Sequence, residues 1–181
     1  GIFVFLAFIG GILAVSSAVM PETLQVRHRA SGGVLASIKG FRHLFGQVYF
    51  MGHCMMQCFA FAAFFAYIAG SSFVFQNVYG VSPQIFSLIF GINGIGLLIS
   101  GAVTGRLAGT IPDWKLLRLS LWIAMAGSAG VLVCFFMQAP LFLVAAVLFV
   151  TVSTLAAMST ASFSLAMQEQ GRNAGSAAAL I

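Results

Sequence analysis

Long apolar segments constrain this sequence more than any other feature. Five stretches, here named segments A to E, meet or approach the roughly 20 residues that a helix needs to cross a bilayer, and a sixth, segment F, begins near the end. Their approximate bounds are 2–20, 47–70, 84–105, 116–137 and 141–165, with segment F starting at 174. None carries a charged residue near its centre, where Lys, Arg or Asp costs about 2.5 to 3.5 kcal/mol on insertion scales. We therefore predict an all-α polytopic membrane protein.

The composition excludes a soluble globular enzyme. Hydrophobic residues make up 61% of the chain and charged residues 6%, whereas soluble domains carry about a quarter charged residues. The sequence contains no HExxH zinc motif, no paired intramembrane aspartates and no G-x-S-x-G serine elbow. Its three carboxylates, Glu22, Asp113 and Glu169, all fall in predicted loops. We expect no catalytic site and no enzymatic activity.

Segment B carries the residues closest to a metal-binding pattern. Cys54 and Cys58 are four residues apart on a helix and His53 is adjacent, but no fourth ligand accompanies them. Isolated membrane cysteines usually behave as small hydrophobic residues, so we expect no metal site and no cofactor. His53 is either a neutral packed side chain or a proton-responsive one.

The basic residues predict the orientation in the membrane. The net charge is +5, and alternating the loops across a bilayer places all eight Lys and Arg residues on one side. Positively charged loops face the cytoplasm, so residues 21–46 and the loops after segments C and E are predicted to be cytoplasmic. The stretches 71–83 and 138–140 then face outward. The charge is thus a topology signal, and we expect no nucleic-acid partner.

Polar residues are unevenly distributed among the segments. Segment E is rich in Ser and Thr, and segment B carries His53, Gln57 and Tyr67, whereas segments A and D have few polar side chains. Polar groups in hydrocarbon need a partner or a wet cavity, so segments B and E are predicted to face inward and A and D to face lipid. Interhelical hydrogen bonds, worth about 0.6 kcal/mol each, are the alternative explanation.

Several stretches also match a known family in sequence pattern. They are PETL at 21–24, FFAYIAGSSFVFQNVYG at 64–80, SP at 82–83, FSLIFGIN at 86–93 and AGSA at 174–177. With these stretches the chain resembles the drug-resistance transporters of the bicyclomycin-resistance type (Bcr/CflA) within the major facilitator superfamily. The resemblance covers nearly the whole sequence, and its most specific part runs from Tyr67 to Asn93.

The resemblance implies a twelve-helix antiporter in which segments A to E are helices six to ten and segment F starts helix eleven. Residues 1–20 are then helix six, 21–46 the cytoplasmic linker between two halves, and 47–181 part of the carboxy-terminal half. In that fold helices seven and ten line the central cavity. The chain starts with Gly1 and stops within a helix, so we expect an internal fragment whose partner is the missing amino-terminal half. The family's proton-carrying acidic residues are expected in that half.

The function implied by the resemblance is proton-coupled multidrug efflux by alternating access across the bacterial inner membrane. The expected partners are a small hydrophobic or weakly polar drug-like substrate, protons and the lipid bilayer. Transport of another small solute, such as a metabolite, sugar or amino acid, remains the alternative. A membrane enzyme or an interaction scaffold is a further class, which a missing half without a transporter-like repeat would favour.

The candidate substrate-binding residues combine aromatic surfaces with uncharged polar groups. Tyr67 offers a ring and a hydroxyl, while amide side chains donate and accept hydrogen bonds without a fixed charge. The full set is Tyr67, Gln76, Asn77, Asn93, Phe64 and Gln57. Alternatively, Gln76 and Asn77 cap the outer end of segment B and Asn93 bonds a neighbouring helix.

Residues 101–109 look like a degenerate copy of the family's cytoplasmic gating loop. Its full form has an acidic residue before the arginine, a position that Gly105 occupies here. We expect Gly101 and Gly105 to allow close helix approach and Arg106 to lie at the membrane interface.

Overall fold

The structure is a computed structural model that describes residues 1–20, 41–171 and 174–181. Most of the predicted linker, residues 21–40, lies outside the described residues. The chain divides into two units, Gly1–Ala36 and Ser37–Ile181. In the first unit, segment A forms a helix.

The helices agree with the predicted segments. They are α1 (Ile2–Val19), α2 (Val48–Phe73), α3 (Pro83–Leu107), α4 (Asp113–Phe136), α5 (Leu141–Met167) and α6 (Ala174–Leu180). Among the described residues, five helices are long and apolar enough to cross a membrane. The predicted all-α polytopic class is thus confirmed.

Helix α2 continues past Gly70, where segment B was expected to end. A π-helical turn at Val74–Val78 extends it to a span of 31 residues. At 1.5 Å per residue this is about 46 Å, more than the roughly 30 Å hydrocarbon core, so the helix must tilt or protrude. One of the polar residues that suggested a loop has a partner within the helix, since Gln76 Nε2 donates to Ser72 Oγ at 2.9 Å.

The turn between α2 and α3 follows directly from its sequence. Gly80 adopts φ +65°, a left-handed conformation that glycine tolerates best. The Ser82 hydroxyl then accepts a hydrogen bond from the Ile85 backbone N–H at 3.4 Å, and Pro83 takes the first helical position. Ser as N-cap followed by Pro is a common helix start.

Helix α5 is the centre of the second unit. It packs most extensively against α4, then α3, then α2. Its buried residues are mostly small or β-branched, such as Ala157, Ala161 and Ser162. Two glycines of neighbouring helices let the backbones approach closely, because a Cβ at Gly96 would collide with Ser153 and one at Gly127 with Thr151.

Helices α4 and α5 form a hairpin joined by a short turn. Gln138 takes a positive φ of 49°, and the Ala139 N–H donates to the Cys134 carbonyl at 2.9 Å. The Tyr79 hydroxyl, just beyond α2, donates to the Ala139 carbonyl at 3.1 Å. This contact attaches the end of α2 to the closed end of the hairpin.

Candidate functional site

Tyr67 and Asn93 form the centre of the candidate site. The Asn93 Nδ2 group donates to the Tyr67 hydroxyl oxygen at 2.8 Å and joins α2 to α3. Only 2% of Asn93 is exposed, so its amide is committed to this contact. Of the two alternatives for Asn93, the interhelical hydrogen bond is therefore present in the structure.

Aromatic rings surround this pair. Tyr67 stacks on Phe90 with a centroid distance of 5.7 Å and an interplanar angle of 6°, and on Phe64 at 6.4 Å and 29°. The row continues along α3 and back to α2 through Phe86 and Phe75, with centroids 5.8 and 6.1 Å apart. Such a row provides flat apolar contact area together with a polarisable surface.

A cavity of about 300 Å³ lies beside Tyr67, between α2, α4 and α5. Its walls are apolar apart from Tyr67, Ser71 and Tyr79. The α4 wall is formed by Val131, Leu132 and Phe135, although segment D was expected to face lipid alone. The end of α4 reaches the site because the short turn at its end folds it against α5.

A second cavity of about 240 Å³, lined in part by Phe64, lies between α2, α3 and α5. Its only polar lining residue is Ser159, beside Phe61, Phe64 and Leu97. Both cavities are lined by α2 and α5, the two helices predicted to face inward. None of the residues that line either cavity is charged. The pair of cavities can hold an apolar molecule with a few hydrogen-bonding groups.

Polar contacts between α2 and α5 continue from the second cavity toward the start of α2. Gln57 Nε2 donates to the Ser159 carbonyl at 3.3 Å, and only 5% of Gln57 is exposed. Its Oε1 atom is buried without a hydrogen-bond partner among the described residues. One turn earlier, His53 Nδ1 lies 2.9 Å from Ser162 Oγ.

The structure brings only part of the predicted site together. Tyr67 contacts Phe64 through stacked rings and Asn93 through a hydrogen bond. Gln57 lies on α2 with Phe64 and Tyr67. Gln76 and Asn77 lie in the π-helical turn near the other end of α2, where Asn77 is exposed. They belong to the last turn of the helix, which continues beyond its expected end at Gly70.

The predicted gating residues lie at the far end of α3. Thirteen residues, about 20 Å of helix, separate Asn93 from Arg106. A Cβ at Gly101 would make ordinary contact with Ala156 at 3.6 Å, whereas one at Gly105 would meet nothing within 4 Å in the described chain. The close approach expected of these glycines is instead provided by Gly96 and Gly127.

Sequence reasoning did not identify several residues of the site. Phe86 and Phe90 were noted only as part of a matching stretch, yet they connect the aromatic row. Their spacing of four residues places both on one face of α3, with Asn93 three residues further on, and this periodicity was the available signal. The α5 partners Ser159 and Ser162 were seen only as members of a Ser-rich helix.

No metal site is evident in the described ranges. No group of three His, Cys, Asp or Glu side chains there could hold a metal ion. Cys54 is buried and Cys58 exposed, although they lie one helical turn apart. The side chains around Tyr67 offer a ligand stacking contacts, apolar burial and uncharged hydrogen bonds.

Comparison with known proteins identifies the family. The Major Facilitator Superfamily matches residues 1–181. An uncharacterised MFS-type transporter of Bacillus subtilis, YdgK, is 36% identical over 181 residues, which cover 99% of this chain and 45% of the relative. A bicyclomycin resistance protein homologue of Haemophilus influenzae is 24% identical over 115 residues, which cover 62% of this chain and 29% of the relative.

The chain spans less than half the length of these curated relatives. No solved structure matches it. A family match over all 181 residues, together with five membrane-length helices, makes the chain a multi-pass membrane protein. It belongs to the Major Facilitator Superfamily.

Proposed function

We propose that this chain is part of a proton-coupled multidrug exporter that works by alternating access across the bacterial inner membrane. The observation that carries the proposal is the uncharged lining of the two cavities, which is aromatic at Tyr67 in the first and at Phe61 and Phe64 in the second. A charged solute in a low-dielectric site needs an opposite charge or a metal, and these cavities offer neither. They suit a hydrophobic or weakly polar molecule.

The similarity to a bicyclomycin resistance protein homologue supports the same substrate class. Aromatic rings and a few amide and hydroxyl groups tolerate ligands of varied shape better than fixed charges do. In this proposal Tyr67 and Phe64 belong to an aromatic wall against which the drug packs. The Tyr67–Asn93 hydrogen bond holds the tyrosine ring in position.

The energetics allow a single proton to drive export. One charge crossing about 150 mV supplies roughly 3.5 kcal/mol, which corresponds to several hundredfold accumulation. Binding and movement of helices are sufficient, and no covalent chemistry is needed.

Transport of a polar uncharged solute, such as a sugar, is the second candidate. The Oε1 atom of Gln57 favours it, because this acceptor is buried without a partner among the described residues and a hydroxyl-rich ligand would supply a donor. The two candidates differ in the solute accumulated, and one assay separates them.

The test uses the full-length protein in inside-out vesicles with an imposed pH gradient. Bicyclomycin, chloramphenicol and the dye N-phenyl-1-naphthylamine represent uncharged drug-like molecules, while lactose and galactose represent polar uncharged solutes. We expect gradient-driven accumulation of at least one drug and of neither metabolite. Accumulation of lactose or galactose alone would instead support the second candidate.

A pair of matched variants connects transport to the site. Phe64 lines the second cavity, whereas Phe59 lies on the same helix with 70% of its surface exposed. We expect Phe64→Ala to weaken the apparent drug affinity about tenfold and Phe59→Ala to leave it unchanged, at equal membrane abundance. Equal effects of the two variants would argue against drug binding at this site.

A further inference from the structure

The polar contacts between α2 and α5 include one side chain that can change its charge near neutral pH. His53 lies in the second turn of α2, and its Nδ1 atom is 2.9 Å from the hydroxyl oxygen of Ser162. Ser162 is completely buried in α5. The Tyr49 ring contacts the imidazole edge to face at 4.8 Å. The histidine is thus held at the helix interface by one specific partner.

A buried acceptor without a partner lies one turn further along α2. Gln57 is 5% exposed, and its Oε1 atom has no hydrogen-bond partner among the described residues. Residues four apart on a helix share a face, so Gln57 follows His53 along the side that packs on α5. Leaving such an acceptor unpaired costs free energy, so a nearby donor that reached it would stabilise the interface.

Protonation of His53 supplies the missing donor. A neutral imidazole has one N–H donor and one acceptor nitrogen, whereas the protonated ring has two N–H donors. A serine hydroxyl can accept as well as donate, so Ser162 can partner His53 in both states. The second N–H of the charged ring then needs an acceptor, and Gln57 Oε1 is available on the same face after a side-chain rotation.

The charge would be isolated at this interface. Helices α5 and α6 contain no titratable side chain, and α3 contains only Arg106, near its far end. On α2 itself, Tyr49 and Cys54 are the nearest titratable groups. Among the described residues, the other titratable groups toward this end of the helices are Asp113, which accepts a hydrogen bond from Ser164 of α5, and five exposed side chains: Arg42, His43, Lys115, Arg118 and Glu169.

We propose that His53, together with Ser162 and Gln57, forms a proton-binding site in this part of the transporter. The imidazole takes one proton from water and later returns it to water, and only the N–H bond is made and broken. Because a charged ring in an apolar helix interface requires hydrogen bonds or water, proton binding favours a different packing of α2 on α5. The inference rests on the proposed proton-coupled transport and assigns it a second proton site, besides the carboxylates expected elsewhere.

The decisive transport test compares His53→Gln with His43→Gln in proteoliposomes of the full-length protein, using the uncharged drugs bicyclomycin and chloramphenicol as probes. We expect His53→Gln to lose at least tenfold in accumulation driven by a pH gradient. Exchange of labelled for unlabelled drug without a gradient stays within twofold, because exchange moves no net proton. The exposed His43→Gln control retains both activities.

The outcomes separate this inference from the proposed function. If the wild-type protein accumulates no drug, the proposed function fails and the coupling role of His53 fails with it. If the wild type accumulates drug and His53→Gln does so equally well, only the proton site is overturned.

A second measurement does not depend on transport, so it tests the proposal even if the His53→Gln variant folds poorly. Nuclear magnetic resonance of the full-length protein with ¹⁵N-labelled histidine reports the protonation of each ring directly, and Ser162→Ala perturbs the His53 signal selectively. We record this signal from pH 4 to 9 and expect it to change with pH and again when drug is added. A His53 ring that keeps one protonation state over this range overturns the proposal.

Discussion

The Ser164 hydroxyl donates a hydrogen bond of 2.5 Å to Oδ2 of Asp113 and joins the last turn of α5 to the first residue of α4. Gln168 Nε2 donates to the same oxygen at 3.1 Å. The two helices are connected at their other end by the turn at 138–140. The carboxylate of Asp113 therefore closes the open end of the hairpin.

We predict that Asp113→Ala lowers the free energy of unfolding by about 1 to 2 kcal/mol, since two hydrogen bonds to a partly exposed charged acceptor are lost. Asp113→Asn keeps an acceptor and costs less. The exposed Glu169→Ala changes stability by less than about 0.5 kcal/mol and serves as control. Denaturant unfolding in detergent measures all three, and equal losses for Asp113→Ala and Glu169→Ala would contradict the role of the hairpin contact.

The orientation argued from the basic residues predicts which positions an impermeant thiol reagent reaches. After replacement of the three native cysteines, a cysteine at Asn77 or Gln138 is labelled from outside intact cells, and one at Lys115 is labelled only after permeabilisation. All three positions are exposed in the structure, so differences in labelling report sidedness rather than burial. Labelling of Lys115→Cys alone in intact cells would invert the topology.

Close packing predicts opposite effects for two glycines of α3. Gly96→Ala places a Cβ against Ser153 and 2.6 Å from the Phe149 ring, so α3 and α5 must separate, at a cost of about 1 to 3 kcal/mol. A Cβ at Gly94 meets nothing within 4 Å, and Ala favours helix, so Gly94→Ala leaves stability unchanged or higher. Thermal unfolding of the two variants in the same detergent distinguishes them, and an equal loss in both would show that α3 tolerates no side chain there.

The helices were predictable because a membrane span requires a long apolar run. The residue types of Gly80 and Pro83 also indicated the turn and the helix start that the structure has there. The end of α2 was not predictable in the same way. Gln76 and Asn77 indicated a loop, whereas a local hydrogen bond to Ser72 lets the helix continue. Polar residues end an apolar pattern in sequence without necessarily ending the helix.

The site was predictable by residue type but not by contact. Tyr67 and Asn93 stood out as polar groups in apolar segments, yet their hydrogen bond joins residues 26 positions apart. Pairing depends on how two helices rotate about their axes, and helices that are apolar all round give little information on rotation. The hydrogen bonds of Asp113 to α5 were not predicted either, because this residue was assigned to a loop, whereas it begins α4.

The hydrogen bond between Asn93 and Tyr67 separates a drug-contacting role from a purely structural one. Tyr67→Phe keeps the ring and its stacking on Phe90 but leaves the buried Asn93 amide without its acceptor, which costs about 1 to 3 kcal/mol of stability. Asn93→Leu combined with Tyr67→Phe removes both polar groups, so the double variant recovers much of that stability. If the tyrosine hydroxyl contacts drug, both variants lose affinity for weakly polar drugs and retain it for apolar ones. Apparent affinities for weakly polar chloramphenicol and for the uncharged apolar dye N-phenyl-1-naphthylamine are measured in vesicles together with unfolding curves. Affinity losses that are equal for both compounds and follow stability leave Tyr67 only the role of joining α2 to α3.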